Sequence, residues 1–132
     1  MFNIQGVIDN REREVASIDM DMTVSNAVHL FGEKNYSAAV IVDKQQHPCG
    51  IVTEHDLVRA MGDKGRESVN KPVGEVMSMD LVVATPKTSI EEAMKLMSDY
   101  KMQYLPVVSE SGHLLGFVSV MEVMTFYLTA ID

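Results

Sequence analysis

Apolar residues recur along the chain in two alternating rhythms. Val24, Ala27, Val28 and Phe31 fall at i, i+3, i+4 and i+7, and so do Ile90, Ala93, Met94 and Met97. That spacing puts each set on one face of an amphipathic helix. Thr88-Ser89, followed by Glu91-Glu92, supplies a helix-start signal for the second set. Behind each helix comes a short β-prone run, Ala38-Ala39-Val40-Ile41-Val42 and Leu105-Pro106-Val107-Val108. Polar turns follow, Asp43-Lys44-Gln45-Gln46 and Ser109-Glu110-Ser111-Gly112, and then second strands, Gly50-Ile51-Val52-Thr53 and Gly116-Phe117-Val118-Ser119. Helices over about residues 54–61 and 120–130 close the two series. Leu81-Val82-Val83-Ala84 and, more weakly, Val15-Ala16-Ser17-Ile18 read as leading strands. Gly62 to Pro72, with two glycines and mixed charges, reads as a linker, and Val73 to Met77 as a helical turn.

The two series are one unit written twice. Laid on itself at an offset of 66, the chain aligns Val24–Val58 with Ile90–Met124 without a gap. Six of the 35 pairs are identical (Ala27/Ala93, Leu30/Leu96, Val42/Val108, His47/His113, Gly50/Gly116, Val52/Val118), where background frequencies give roughly two. The organisation expected is repeat 1 over 15–62, a linker over 63–76 and repeat 2 over 77–130. Each repeat has the order β-α-β-β-α, an α+β unit. A unit of this size buries too little apolar surface to stand alone. The two are therefore expected to pack about a pseudo-twofold axis as one module, with clefts where they meet and a further surface for a homodimer.

Composition narrows the function. The 132 residues are 46% apolar and 23% charged, the range of a soluble globular protein. Eleven Lys+Arg against nineteen Asp+Glu give −8, which argues against nucleic acid, since phosphate backbones need clustered cations. The absence of an apolar run near eighteen residues argues against a membrane span. The single cysteine, Cys49, forms no intramolecular disulfide, and the N-terminal stretch carries no apolar signal, so a cytoplasmic location is expected.

The residues that carry chemistry are Gly50-Ile51-Val52-Thr53-Glu54-His55-Asp56. A hydroxyl at a helix N-terminus, beside unpaired backbone N–H groups, suits an anionic phosphate. A carboxylate one turn on can accept both hydrogen bonds of a ribose cis-diol. Thr-x-x-Asp and Ser-x-x-Glu also describe a capping box, in which side chain and backbone satisfy each other. Ser119-Val120-Met121-Glu122 fits that second description better, because Glu is the usual third residue of the box. The spacing alone leaves both readings open.

The duplicated unit, together with Leu105-Pro106-Val107-Val108, Gly50 to Leu57, and Glu75-Val76-Met77-Ser78 with Asp80-Leu81-Val82-Val83, resembles a tandem pair of CBS (cystathionine β-synthase) domains, a Bateman module. The resemblance covers about residues 15 to 130. It implies a compact pair that binds an adenosine-containing ligand (AMP-, ADP- or ATP-like) in the inter-repeat clefts, often dimerises, and regulates a partner protein. Carried over, one cleft joins Ile51, Thr53, His55 and Asp56 to Ser78, Val82, Met102, Gln103 and Tyr104. Asp56 would hold the ribose, Thr53 the phosphate or ribose, and the strand backbone with Val82 and Met102 the base. His55, Arg59 and Lys101 are the cations nearest for a phosphate. The other cleft joins Phe117, Ser119 and Glu122 to Tyr36, Ser37 and Ala38. There Glu122 departs from the family's Asp and Lys34 is the local cation, so that cleft is expected to be weak or empty.

Other candidates read as structural. His47 and Cys49 share a turn, and Leu115 stands opposite Cys49 in the second repeat, so no metal site is expected. His47 and His113 occupy matching turn positions and read as solvated. The methionines at 94, 97, 121 and 124 have helical spacing and read as core or dimer interface. Tyr104 could stack on a base or fill a strand position. No catalytic motif, P-loop or obligatory cofactor site is present in the sequence. The expected function is a non-enzymatic regulatory module with an unknown effector protein. The alternative is a nucleotide-independent dimerisation module with vestigial clefts.

Overall fold

The computed structural model describes residues 2–9, 16–79 and 81–131. In chain order its elements are α1 (Ile4–Asp9), β1 (Ser17–Asp19), α2 (Val24–Lys34), β2 (Ala38–Val42), β3 (Pro48–Thr53), α3 (Glu54–Lys64), α4 (Ile90–Asp99), β4 (Tyr104–Val108), β5 (Leu114–Ser119) and α5 (Val120–Ile131). Short 3-10 turns span Gly65–Ser68 and Val73–Glu75. The fold is α+β: the order α-β-β-α recurs in both repeats, and in the first it is preceded by the strand β1. Val15 and Asp80, at the edges of the expected leading strands and the first repeat, lie outside the described residues, as does the charged run 11–14.

The chain divides into two compact units, residues 16–81, and residues 82–132 together with 1–15. In the first, β2 is the central strand, parallel to β1 and antiparallel to β3. All five of its residues are buried, as a strand covered on both faces requires. Thr23 caps α2 by accepting the Asn26 N–H at 3.1 Å. The helix ends at Asn35, whose left-handed φ of 60° returns its N–H to the Phe31 carbonyl. Val24, Ala27 and Phe31 of α2 are buried, the face that the spacing predicts.

The second unit repeats this plan at the same offset. Tyr104 pairs with Ser119 as Ala38 pairs with Thr53, and the ladder shifts register at Val107/Val108 as it does at Ile41/Val42. Lys101 takes the left-handed place of Asn35, and Gly112 that of Gln46. The core joins Ile4, Val7, Ala84, Ile90, Ala93, Met97, Leu105, Val107, Val118 and Val123.

One expected element is reduced. Leu81–Ala84 reads as a strand, yet only Ala84 pairs, as a single parallel bridge to Val107. In the first unit the β1 ladder begins with the Val40 N–H donating to the Ala16 carbonyl at 2.9 Å. The residue in the place of Val40 is Pro106, which has no N–H to give. The two bonds that do not need that donor remain: the Ala84 N–H to the Pro106 carbonyl and the Val108 N–H to the Ala84 carbonyl, each 2.9 Å.

The segments that precede the repeats are exchanged between them. Val73 N–H donates to the Met22 carbonyl and Gly74 N–H to that of Met20, while Val24 N–H donates to Lys71. In the other unit Ile4 N–H donates to Thr88, Gln5 N–H to Pro86, and Ile90 N–H to Phe2. The segment leading into repeat 2 thus docks on the first helix of repeat 1, and the N-terminal segment docks on the first helix of repeat 2. Ile4 and Val73 are each fully buried by this docking. Gly6 lies against Phe126, where an added Cβ would come within 2.6 Å of the ring, and Phe2 meets the same ring edge-on at 6.2 Å.

No helix among the described residues is long and apolar enough to cross a membrane. The methionines separate into two groups: Met97 is buried with Met94 packed against the core, while Met121 and Met124 are exposed.

Candidate functional site

Each unit carries its polar constellation where its last strand turns directly into a helix. In the first unit Thr53 ends β3 and is the N-cap of α3. Its Oγ1 accepts the Asp56 N–H at 3.2 Å, and the Thr53 N–H donates to Asp56 Oδ2 at 2.9 Å. Among the described residues Asp56 Oδ1 carries no hydrogen bond. The capping box is therefore complete, and it leaves one carboxylate oxygen and the Thr53 hydroxyl proton uncommitted.

The backbone around this cap is close-fitting. Ala38 pairs with Thr53, and the Glu54 N–H donates to the Ser37 carbonyl at 3.0 Å. Ile51 exchanges two hydrogen bonds with Ser78, at 3.1 and 2.9 Å, so Ser78 extends the edge of β3. Gly50 permits that approach, since a Cβ there would lie 2.5 Å from Met77 Sδ and 2.6 Å from the Ser78 carbonyl oxygen. Ile51, Thr53, Asp56, Ser78, Ser37 and Ala38 thus gather at one strand end. His55 is exposed on the first turn of α3 and Arg59 on the second. Neither makes an ion pair or side-chain hydrogen bond among the described residues. Tyr36 turns its ring edge to Phe31, with centroids 6.0 Å apart.

The second unit builds the same cap with Ser119 and Glu122. The Ser119 N–H donates to Glu122 Oε1 at 3.0 Å, and the Glu122 N–H to Ser119 Oγ at 3.1 Å. Val120 N–H donates to the Gln103 carbonyl at 2.9 Å, and Tyr104 pairs with Ser119. Tyr104 is half-buried, with its ring edge-on to Phe117 at 5.8 Å. Gln103, Tyr104, Phe117, Ser119 and Glu122 therefore gather in this unit. Met102 donates its N–H to the Met97 carbonyl at the end of α4, and Val82 packs against the unit's core. Met121 and Thr125 stand where the first unit has His55 and Arg59.

The chemistry these groups offer is recognition. Carboxylates in the first turn already favour the helix dipole, and each cap adds a hydroxyl, backbone carbonyls and a strand edge. The described residues contain no cluster of three or more His, Cys, Asp or Glu placed to hold a metal. Cys49 donates weakly to the His47 carbonyl at 3.6 Å. Burial, and then the Asp43 carboxylate, push its thiol above its ordinary value of 9.0, so it is a poor nucleophile at neutral pH. Asp43 Oδ1 accepts the N–H groups of Gln45 and His47 at 2.8 and 2.9 Å, and its other oxygen lies 3.7 Å from the His47 ring. Ser109 accepts the His113 N–H in the corresponding turn, at 3.2 Å. Both histidines thus belong to turn architecture.

The N-terminal segment, which docks on the second unit, is not legible at the 66-residue offset. Its signal is Ile4-Gln5-Gly6-Val7-Ile8, which matches Val73-Gly74-Glu75-Val76-Met77 at an offset of 69. The three extra residues hide it from an alignment at 66.

Comparison with known proteins places these features in a family. The CBS domain model matches residues 11–63 and again 73–129, most of the chain. The mitochondrial CBS domain-containing protein CBSX3 of Arabidopsis thaliana is 36% identical over 108 residues, which are 79% of this chain and 52% of that protein. The chain thus spans about half the length of that relative. Among solved structures, CBSX2 in complex with AMP superposes with a TM-score of 0.83 at 21% identity, over the whole of both chains. The cytosolic domain of the Mg2+ channel MgtE in complex with ATP gives a TM-score of 0.73 at 26% identity, over 85% of this chain and 44% of that one.

Proposed function

The chain belongs to the CBS domain family, and we propose that it is a regulatory module that binds an adenosine-containing ligand and transmits that state to a partner protein. The observation that carries this reading is Asp56, whose Oδ2 closes the cap with the Thr53 N–H while Oδ1 carries no hydrogen bond among the described residues. A ribose cis-diol brings two donors to such a carboxylate, and the Thr53 hydroxyl serves the phosphate or ribose oxygens. The AMP in the CBSX2 complex and the ATP in the MgtE complex support the ligand class. The module acts by binding and carries out no chemistry of its own.

A second observation supports self-association. Met121, Met124, Leu128 and Ile131 are all exposed, at 67%, 40%, 60% and 58%. They fall at i, i+3, i+7 and i+10, one stripe along α5. Glu122 is the only charged residue of that helix. A second copy of the chain is the occupant this reading assigns to that stripe.

Isothermal titration calorimetry with AMP on the wild type and on Asp56→Asn tests the ligand reading. Asn keeps an oxygen to accept the Thr53 N–H, so the cap survives, but it loses the charge and one acceptor. AMP affinity is expected to fall by about tenfold or more, the effect of losing a hydrogen bond to a charged group. Unchanged affinity, or no binding of AMP at millimolar concentration to the wild type, contradicts the proposal.

A further inference from the structure

The stripe along α5 is chemically distinct from the other apolar surface. Its first two members, Met121 and Met124, are exposed thioethers one helical turn apart. The same places in the first repeat hold His55 and Val58, so the sulfur pair belongs to one repeat. Leu128 and Ile131 continue the stripe, and none of the four side chains carries a hydrogen-bond donor. Glu122, the one charged residue of α5, is an acceptor whose Oε1 takes the Ser119 N–H. Thr129 gives its hydroxyl proton to the Thr125 carbonyl at 2.9 Å. The surroundings of the pair are therefore poor in donors.

Other sulfur groups are less open to an oxidant or stand elsewhere. Cys49 is half-buried, and burial with the nearby Asp43 carboxylate keeps its thiol protonated, which withholds the reactive thiolate. Met97 is buried in the core and Met94 packs against it. Met61 and Met79 are exposed, but neither lies on the stripe.

We propose that Met121 and Met124 form a peroxide-sensitive modification site that controls self-association of the chain. The methionine sulfur attacks one peroxide oxygen: the O–O bond breaks, an S–O bond forms, and the thioether gives up two electrons. The proton of the transferred oxygen passes to the leaving oxygen, which departs as water or an alcohol. The product is a sulfoxide, a polar acceptor where an apolar sulfur stood. Between two copies of the stripe it meets no donor among the four side chains, and an unpaired buried acceptor opposes association. This inference rests on the assignment of a second copy to the stripe, and adds how that contact is regulated. The monomer is the oxidisable form, the dimer shields its own sulfur, and oxidation holds the copies apart.

Treatment of the full chain with hydrogen peroxide, followed by peptide mass mapping and sedimentation velocity, tests the proposal. Met79, 71% exposed and outside the stripe, is the internal reference for Met121 at 67%. Raising the protein concentration through the dimer range is expected to slow oxygen uptake at Met121 and leave that at Met79 unchanged. The dimer dissociation constant of the oxidised chain is expected to rise by about tenfold or more, the effect of an unsatisfied buried acceptor. Met121→Leu with Met124→Leu keeps the stripe apolar at similar volume. Peroxide is expected to leave that variant's own dissociation constant unmoved, while Met79 still takes up oxygen. A dimer that keeps its affinity with sulfoxide at both positions overturns the proposal, as does an equal loss in the Leu variant. In either case, protection of Met121 at high concentration leaves the self-association reading standing. A wild type that stays monomeric, with Met121 oxidised at the same rate relative to Met79 at every concentration, removes both.

Discussion

Val40 and Pro106 differ, for the purposes of the sheet, by one N–H. The loss of that donor falls on the neighbouring segment, where a strand shrinks to the single bridge at Ala84. Pro106 is visible in the sequence inside an otherwise β-prone run, and β4 forms around it as expected. Its effect on another segment becomes visible only once the pairing partner is known. Gly50 works the other way, by leaving out a side chain. Ala at this position would set its Cβ 2.5 Å from Met77 Sδ and 2.6 Å from the Ser78 carbonyl oxygen. The methionine can swing aside, but the carbonyl is held by the Ile51 N–H. Gly50→Ala is therefore expected to destabilise the protein by about 1–3 kcal/mol, the usual cost of overpacking. Gly62→Ala, inside α3 with nothing within 4 Å of the new Cβ, is expected to gain about 0.5–1 kcal/mol. Urea denaturation of the two variants checks both signs, and an unchanged Gly50→Ala midpoint would show that the β3 edge is looser than described. Thr53 and Asp56 mark the limit of reading by residue. The same atoms that close a cap can hold a ribose, so their spacing states both possibilities and chooses neither. Tyr104 reads from the sequence either as a base-stacking residue or as strand filling, and its half-buried ring lies edge-on to Phe117 at 5.8 Å within its own unit.

Among the elements, those with a strong period are the ones the sequence displays. The amphipathic spacing of α2 and α4 and the apolar runs of β2 and β4 are each found where the pattern puts them. The docking segments are not displayed in this way, because each is too short to show a period and its contacts are distant in sequence. Ile4 and Val73 carry the consequence. Each is fully buried, and each lies in a segment whose backbone bonds to the start of a helix that is not the next one in the chain. Ile4→Ala is expected to cost about 2–5 kcal/mol, the range for truncating a buried Ile. Hydrogen exchange should localise the damage, because the Ile90 N–H donates to the Phe2 carbonyl at 3.2 Å and loses that acceptor when the segment lifts. Faster exchange at Ile90, with the Val24 amide unaffected, is the expected pattern. An Ile90 amide as slow as in the wild type would contradict the docking.

For the molecule as a whole, charge and apolar surface make opposing demands. A net charge of −8 opposes self-association at low salt. The uncharged stripe of α5, Met121, Met124, Leu128 and Ile131, favours it. Sedimentation velocity of the wild type is expected to show a dimer that strengthens as salt rises, while Met121→Glu with Leu128→Glu sediments as a monomer. A wild type that is monomeric at all salt concentrations would remove the second copy from the account. The central claim is the adenosine site itself, and a backbone amide NMR titration of the protein with AMP tests it most directly. The account predicts the largest and saturable shifts at Thr53, Glu54 and Asp56, with Ser78 following, and their loss in Asp56→Asn. Shifts confined to residues away from the start of α3, or none at millimolar AMP, would contradict it.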